Sequence, residues 1–279
     1  MPDIIDLLAH WWKRILAVMV IALIVVGVIT FLKPQKYLSV ATALPASSFA
    51  SDKSRVFNEN IEALYSTLGT TDDLDMIVGT ATLDTVYWAV TQQYNLQDHY
   101  KMKEQGEAAI AKAASLLEEN TRVQKSEYGE LKVRVWDTDK NLAAELANSI
   151  LDVLNNIHRD LQGQGNKAVL NSLLEAKQRA RKEVDSVKQF LRNAETMYED
   201  TAFLNTRYRL LSDYEKKIGE YQLMVNNKPP VLITVERAKA TNWPDKPKRM
   251  QILIATAILS FLFALLAALV LERRKNGSQ

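Results

Sequence analysis

Two long apolar runs lie at the ends of the chain, and a charged, mixed segment separates them. Residues 15–32 contain no charge, and residues 250–271 contain Gln251 as the one strongly polar side chain. At about 1.5 Å per residue, each run matches a hydrocarbon core about 30 Å thick. A buried helix of a soluble protein is the alternative, but such helices seldom run this long without a polar face. The pattern therefore predicts two transmembrane helices.

The first run could also belong to a cleaved signal peptide. It is too long for the usual apolar core of such a peptide, and Lys33, Pro34 and Gln35 follow it where a small-residue cleavage site would stand. We therefore interpret residues 15–32 as a span that is retained.

Two spans place the tails, residues 1–14 and 272–279, on one side of the membrane and residues 33–249 on the other. Both tails are short and carry basic residues next to the spans, which favours the cytoplasm, whereas long loops cross largely regardless of charge. We expect both termini in the cytoplasm and the middle segment outside it. Three tryptophans near the membrane edges fit as interfacial anchors: Trp11, Trp12 and Trp243.

Alternating apolar and polar positions predict three β-strands in the middle segment, at residues 37–44, 131–136 and 231–235. The first strand follows the first span, and the third precedes the second span. If these two strands share one sheet, they bring the two spans together. The predicted fold class is α+β, with two transmembrane helices flanking a membrane-proximal α/β base domain and a long extended helix.

Helical periodicity predicts several shorter helices in the same segment, at residues 56–68, 83–94 and 107–117. Thr82 is placed to cap the second of these helices. The cluster Asp137-Thr138-Asp139 is placed to cap a further helix that follows the second strand and ends near Gly163.

A longer helical pattern follows. Residues 166–218 contain neither glycine nor proline, and their apolar positions step by three and four. The pattern predicts a long helix over about residues 166–225, which would reach about 80–90 Å if unbroken. Two shorter helices, bent at an interruption of the pattern near residues 199–202, are the alternative.

Composition and motifs give no sign of catalysis. The chain has no cysteine and a formal net charge of +2, and residues 33–249 carry equal numbers of acidic and basic side chains. A neutral middle segment does not favour nucleic-acid binding. His10, His99 and His158 are isolated, without metal-ligand spacing, and are expected at the surface. We predict no catalytic residue, no cofactor and no metal.

The segment GQGNKAV at residues 163–169 resembles a phosphate-binding loop only superficially. It lacks the Gly-Lys-Ser/Thr core of a P-loop, so we interpret it as a linker. Neither apolar run contains an ionisable residue, which favours membrane anchors over a transport pathway.

The second apolar run carries a ridge of small side chains. Thr256, Ser260, Ala264 and Ala268 recur every four residues and so share one face of a helix. Small residues in this arrangement permit close helix–helix contact in a membrane. The ridge is a candidate surface for contact with a neighbouring span.

A proline-containing collar, residues 241–249, precedes the second span. Pro244 and Pro247 fix φ and disfavour helix in the residue before each of them, so the second span cannot continue upward as a helix. Lys248 and Arg249 are placed to reach lipid phosphates. The collar is either a boundary marker or a stiff coupling between the anchors and the domain beyond them.

The order of these features resembles the Wzz-type chain-length determinants, the polysaccharide co-polymerases. The resemblance is carried by YLSVATAL after the first span, by LDTVYWAVTQQYNLQDHY, and by LKVRVWDTDKNLAAELAN. In the last segment, four residues match the family pattern: Asp139, Ala143, Ala147 and Asn148. One departure concerns the collar, where the family usually has a further proline and this chain has Ala240 and Thr241.

The resemblance implies a non-enzymatic regulator in the bacterial inner membrane, with a periplasmic central domain. Such proteins assemble as ring-like homo-oligomers and set the chain length of O-antigen, capsule or exopolysaccharide. The implied partners are a separate polysaccharide polymerase, the lipid-linked glycan and membrane lipids, with no nucleic acid. The ridge on the second span is then a candidate contact with the polymerase.

An alternative function is a membrane adaptor that activates a separate cytoplasmic tyrosine kinase in capsule or exopolysaccharide export. The tail at residues 272–279 is short for that role.

Overall fold

The structure, a computed structural model, describes residues 4–46, 71–192 and 199–276. The helix predicted at residues 56–68 lies outside the described residues. The helices are α1 (Ile4–Leu32), α2 (Thr71–Thr80), α3 (Asp84–Tyr94), α4 (Leu96–His99), α5 (Glu107–Glu119), α6 (Lys140–Arg192), α7 (Glu199–Asn227) and α8 (Arg249–Asn276). The strands are β1 (Lys36–Pro45), β2 (Thr121–Lys125), β3 (Leu131–Asp137), β4 (Leu232–Glu236) and β5 (Pro244–Lys246).

The chain divides into two compact units. The membrane unit consists of residues 1–39, 136–143 and 240–279, and the α/β unit consists of residues 40–135 and 144–239. The division falls within β1 and β3. Each unit is described by itself below.

The α/β unit is organised around a sheet with the strand order β2-β3-β1-β4. β1 and β4 are antiparallel, with Thr42 opposite Glu236 and Leu44 opposite Ile233. The prediction that the first and third strand patterns share one sheet is therefore confirmed. β2 pairs with β3 as an antiparallel hairpin and was not predicted, because TRVQK is short and shows little apolar alternation.

The core of this unit follows the predicted alternation. Leu131, Val133 and Val135 on β3 are fully buried, whereas the polar positions between them are partly exposed. Leu146, Ile150 and Leu154 form the buried face of α6, again as predicted. Each such side chain contributes about 1.5–3 kcal/mol through burial. α3 packs against α5, and both α2 and α5 contact β2.

Two asparagines on α6 hold β4 and its flanks in the α/β unit. Asn148 Oδ1 accepts the backbone N–H of Ala238 at 2.8 Å, and Asn148 Nδ2 donates to the carbonyl of the same residue at 3.1 Å. Two turns later, Asn155 Oδ1 accepts the N–H groups of Val231 and Leu232 at 3.1 and 3.0 Å. The backbone on both sides of β4 is thus satisfied by side chains of one helix.

Of the two predicted helix N-caps, the structure confirms one and contradicts the other. Asp139 Oδ1 accepts the N–H groups of Asn141 and Leu142 at 2.8 and 3.3 Å, so the predicted cap of α6 is confirmed. The predicted cap of α3 is wrong. Leu83 is the N-cap residue, and the Thr82 hydroxyl instead donates to the Gly79 carbonyl at 2.7 Å, which closes the turn after α2.

The single long helix predicted over residues 166–225 is replaced by two antiparallel helices. Lys177 Nζ lies 2.9 Å from Glu215 Oε1, and Lys228 Nζ lies 3.9 Å from Asp160 Oδ1. Residues later in α7 therefore pair with residues earlier in α6, as in two antiparallel helices. The apolar seam predicted from the sequence is shared between the two helices, since Val184 is buried next to Tyr208 and Leu211.

The first long helix also begins earlier than predicted. α6 starts at Lys140 and continues through Gly163 and Gly165, so neither the predicted helix end nor the linker at residues 163–169 is present. Each glycine costs about 1 kcal/mol relative to alanine in a helix interior. Good helix formers on both sides outweigh that cost. At about 1.5 Å per residue, α6 is about 80 Å long.

The prediction that His158 lies at the surface is wrong. This residue is buried in the α/β unit. Its Nε2 lies 2.9 Å from the hydroxyl of Thr80, and that hydroxyl also donates to the Met76 carbonyl. Because the Thr80 proton is used there, the histidine donates and the threonine accepts. The imidazole therefore joins α6 to α2.

The membrane unit contains both apolar helices. The stretches long and apolar enough to cross a membrane are Trp11–Leu32 in α1 and Arg249–Glu272 in α8. Most of their side chains are exposed, unlike those of a soluble core helix. Two such helices at the ends of a central domain fit a two-pass membrane protein. Both helices extend beyond the predicted spans, residues 15–32 and 250–271.

Replacing Asn148 should destabilise the α/β unit. In Asn148→Ala, the buried Ala238 loses the partners of its N–H and carbonyl groups, and we expect a loss of about 1–3 kcal/mol in the free energy of unfolding. Urea unfolding of the detergent-purified chain, followed by circular dichroism, measures the effect. Asn156→Ala removes an exposed amide from the same helix and is the matched control. Equal stability of the two variants would contradict the assigned contacts.

Candidate functional site

Part of the collar is a β-strand, β5, so the collar is more than a linker. β5 pairs antiparallel with the start of β1, with Lys246 opposite Lys36 and Pro244 opposite Tyr37. Just before β5, the Thr241 hydroxyl donates to the Leu38 carbonyl at 3.0 Å. Pro244 opens the strand, a position where a missing N–H is tolerated. The peptide bond between Lys246 and the next residue, a proline, is cis.

Trp136, at the end of β3, contacts β5 in two ways. Its indole Nε1 donates to Asp245 Oδ2 at 2.7 Å, and the ammonium of Lys246 lies 3.7 Å from the centre of its ring. A hydrogen bond to a carboxylate and a cation–π contact are both stronger than their neutral counterparts. We call these three residues the Trp136 clamp. Nearby, Lys140 Nζ donates to the Asn242 side-chain oxygen at 3.1 Å.

Sequence reasoning named the collar but missed Trp136. It occupies a polar position in the alternation of β3, between a buried valine and a buried aspartate. A large aromatic residue at such a position was the available signal, because its ring must be covered by something outside the sheet. The structure shows that β5 covers it.

Arg249 begins the second span. Its guanidinium lies 4.5 Å from the centre of the Phe31 ring at the end of α1, and the backbone N–H of Arg249 donates to the Pro247 carbonyl at 2.8 Å. Its Nε is buried and has no hydrogen-bond partner among the described residues. The ends of both apolar helices therefore meet at an arginine.

The collar region is rich in cations that form no ion pair in the described part of the chain. We call them the collar cations: Lys33, Lys140, Lys246, Lys248 and Arg249. Asp245 is the one acidic residue in 240–249, and its carboxylate accepts a neutral indole N–H. Asp137 follows Trp136 and Asp139 precedes Lys140, so the five cations face three neighbouring acids and the local net charge is positive.

The small-residue ridge on α8 packs within the chain. Ala264 and Ala268 are buried against Trp11 and Ile15 of α1. The neighbouring span that contacts these two alanines in the structure is α1 of the same chain, and contact of the ridge with another protein's span stays a prediction. The other two ridge residues, Thr256 and Ser260, are half-buried and donate their hydroxyl protons to carbonyls of their own helix.

The tryptophans near the membrane edges have different environments. Trp12 and Trp243 are exposed, as interfacial anchors require, whereas Trp11 is buried. The Trp11 indole donates to Glu272 Oε2 at 2.8 Å, and the Arg14 guanidinium lies 4.4 Å from its ring centre. Trp11 therefore joins the ends of the two spans that lie nearest the chain termini.

The α/β unit has a polar groove of about 340 Å³ along α6. Its lining residues are Gln93, Tyr94, Glu145, Asn148, Ser149, Asp152, Val153, Asn156 and Arg237. Arg237 donates to both carboxylate oxygens of Asp152 at 3.0 and 3.4 Å, and Ser149 donates to Gln93 at 3.1 Å. Burial, together with the Glu145 carboxylate, raises the pKa of the Tyr94 hydroxyl. Much of the polar lining is thus bonded within the groove.

The described residues include no group of three or more His, Asp or Glu side chains placed to hold a metal ion. Elsewhere in the α/β unit, burial raises the pKa of the Tyr87 hydroxyl to about 12, so this phenol stays protonated at neutral pH.

No protein-family model and no curated protein matches the chain. The solved structures that are similar to it include two of polysaccharide co-polymerases. One is described as a full-length bacterial polysaccharide co-polymerase, with a TM-score of 0.44 and 14% identity over 99% of this chain and 98% of that one. The other is a fragment of WzzB, a polysaccharide co-polymerase from Salmonella Typhimurium, with a TM-score of 0.29 and 13% identity over 76% of this chain and 100% of that one. With identity and TM-score this low, neither similarity assigns a function to this chain.

Overpacking the contact between α1 and α8 should destabilise the membrane unit. In Ala268→Leu, the larger side chain must fit against Trp11, and we expect a cost of about 1–3 kcal/mol. Thermal unfolding in detergent, followed by tryptophan fluorescence, should show a lower midpoint than the wild type. Ala255→Leu adds the same side chain at an exposed position of α8 and should leave the midpoint unchanged. The same midpoint in both variants would contradict the packing of the two helices.

Proposed function

We propose that this protein is a non-enzymatic regulator of polysaccharide chain length. It acts as a homo-oligomeric co-polymerase in the bacterial inner membrane, beside a separate polymerase. Its target is the lipid-linked precursor of O-antigen, capsule or exopolysaccharide.

One observation carries this proposal: the residues of the family resemblance are the ones that hold the fold together. Asp139 caps α6, and Ala143 and Ala147 are fully buried on that helix. Asn148 binds both backbone groups of Ala238, the residue that leads from β4 to the collar. A match of composition alone would scatter over surface positions, whereas these four residues have specific structural roles.

The segment YLSVATAL, which also carries the resemblance, forms most of β1. This strand follows α1 directly and pairs with both β4 and β5, the two strands that precede α8. It therefore links the two membrane-spanning ends of the chain, in addition to the direct packing of α1 on α8. A regulator that works by presenting surfaces beside another membrane protein needs this kind of fixed anchor pair.

We place both termini in the cytoplasm and the α/β unit in the periplasm. The supporting observation is the set of basic residues that flank the spans on the tail side, including Lys13 and Arg14. Short segments with basic residues next to a span stay in the cytoplasm, whereas long loops cross the membrane largely regardless of their charge.

Deletion of the gene in its host tests the function. We expect the surface glycan ladder on a gel to lose its preferred length and to become broader or shorter, because polymerisation continues without the regulator. The wild-type gene on a plasmid should restore the ladder. The resolved lengths and their intensities are the measurement.

Two outcomes would contradict the proposal. An unchanged ladder would exclude length control. An unchanged ladder together with altered tyrosine phosphorylation of a cytoplasmic kinase would instead favour the adaptor function.

A further inference from the structure

The collar cations differ from the charged residues of the α/β unit. There, many lysines and arginines are paired with a carboxylate, as Lys112 is with Glu104 at 2.7 Å and Lys125 with Asp75 at 3.0 Å. The collar cations have no such partner in the described part of the chain. Lys140 is bonded to Asn242 of the collar, and Arg249 contacts Phe31, two residues before Lys33, so these positive charges lie along the collar and its neighbours without an ion pair among the described residues.

Two of these cations are held in place by aromatic rings. Lys246 lies over Trp136 at 3.7 Å from the ring centre, and Arg249 lies over Phe31 at 4.5 Å. A cation with a ring on one side keeps its remaining N–H donors directed away from that ring. These two side chains are therefore ordered in the absence of an acidic partner, which prepares them for an anion.

The position of the cluster selects the kind of anion. Arg249 is the first residue of the second candidate span, and Lys33 directly follows the first. Residues at the ends of spans lie at the depth of lipid headgroups, where the available anions are phosphates. Arginine and lysine are also the side chains that proteins use most for phosphate oxygens.

The amount of charge favours a headgroup with more than one phosphate. A phospholipid diester carries a single negative charge, whereas the five collar cations against three neighbouring acids, Asp137, Asp139 and Asp245, leave a surplus of two positive charges.

We propose that the collar cations bind the diphosphate headgroup of an isoprenoid-linked glycan carrier at the membrane surface. This inference rests on the proposed function and names the part of the lipid-linked precursor that the chain contacts. Both this carrier and phospholipids present phosphate oxygens to the cations. The carrier differs from phospholipids because its headgroup has two linked phosphates.

Native mass spectrometry of the detergent-purified full chain tests the site. The probe is geranylgeranyl diphosphate, compared with geranylgeranyl monophosphate and with phosphatidylglycerol at equal concentration. We expect the diphosphate to bind most tightly. The variant Lys33→Gln/Lys248→Gln removes two exposed cations whose side chains form no ion pair in the described part of the chain, and its dissociation constant should rise about thirtyfold.

The matched control is Lys103→Gln/Lys182→Gln, which removes two exposed lysines of the α/β unit that form no ion pair among the described residues, and it should bind the diphosphate as the wild type does. Equal loss in both variants, or no loss in either, would overturn the site. Equal binding of phosphatidylglycerol and diphosphate would overturn the assignment of the carrier. Because lipid binding is measured on purified protein, its failure is distinguishable from an unchanged glycan ladder in the deletion strain.

Discussion

The contacts of one tryptophan ring hold the segment through which the chain enters its second span. β5 has only three residues and pairs with only the start of β1, so its backbone hydrogen bonds alone give it marginal stability. Trp136 adds a hydrogen bond to Asp245 and a cation–π contact to Lys246. The order of β5 and the position of Lys246, the last residue of that strand, depend on these two contacts.

The clamp also explains the distribution of charge around it. Asp245 is satisfied by an indole N–H, which is neutral, so the carboxylate is ordered without an internal ion pair. Lys246 is ordered by an aromatic face and likewise needs no carboxylate. Both residues are thus fixed in place, while the cations beside them stay available. The anion site proposed for the collar uses that combination.

Much of the fold could be predicted from periodicity. Alternation identified β1, β3 and β4, apolar length identified α1 and α8, and an acidic residue identified the start of α6. These features depend on local sequence and on which face is buried, so a single chain is enough to reveal them. The long helices were harder, because an apolar seam shows that something packs against it without showing what. In the structure, α7 packs antiparallel against α6 and covers this seam.

The site was less predictable than the fold. The prolines and basic residues of the collar were visible, but the residue that holds them, Trp136, lies more than a hundred positions earlier in the chain. The ridge of Ala264 and Ala268 raised the same difficulty, since spacing predicts a close helix contact without naming the helix. In both cases the partner is fixed by tertiary structure, which residue spacing does not encode.

Hydrogen–deuterium exchange on the purified full chain tests the role of the clamp most directly. In Trp136→Leu, both contacts to β5 are lost, and peptides covering residues 240–249 and 33–40 should exchange about tenfold faster than in the wild type. Trp243→Leu changes an exposed tryptophan of the same collar and should leave both peptides unchanged. Unchanged exchange in Trp136→Leu, or equal acceleration in the two variants, would contradict the account.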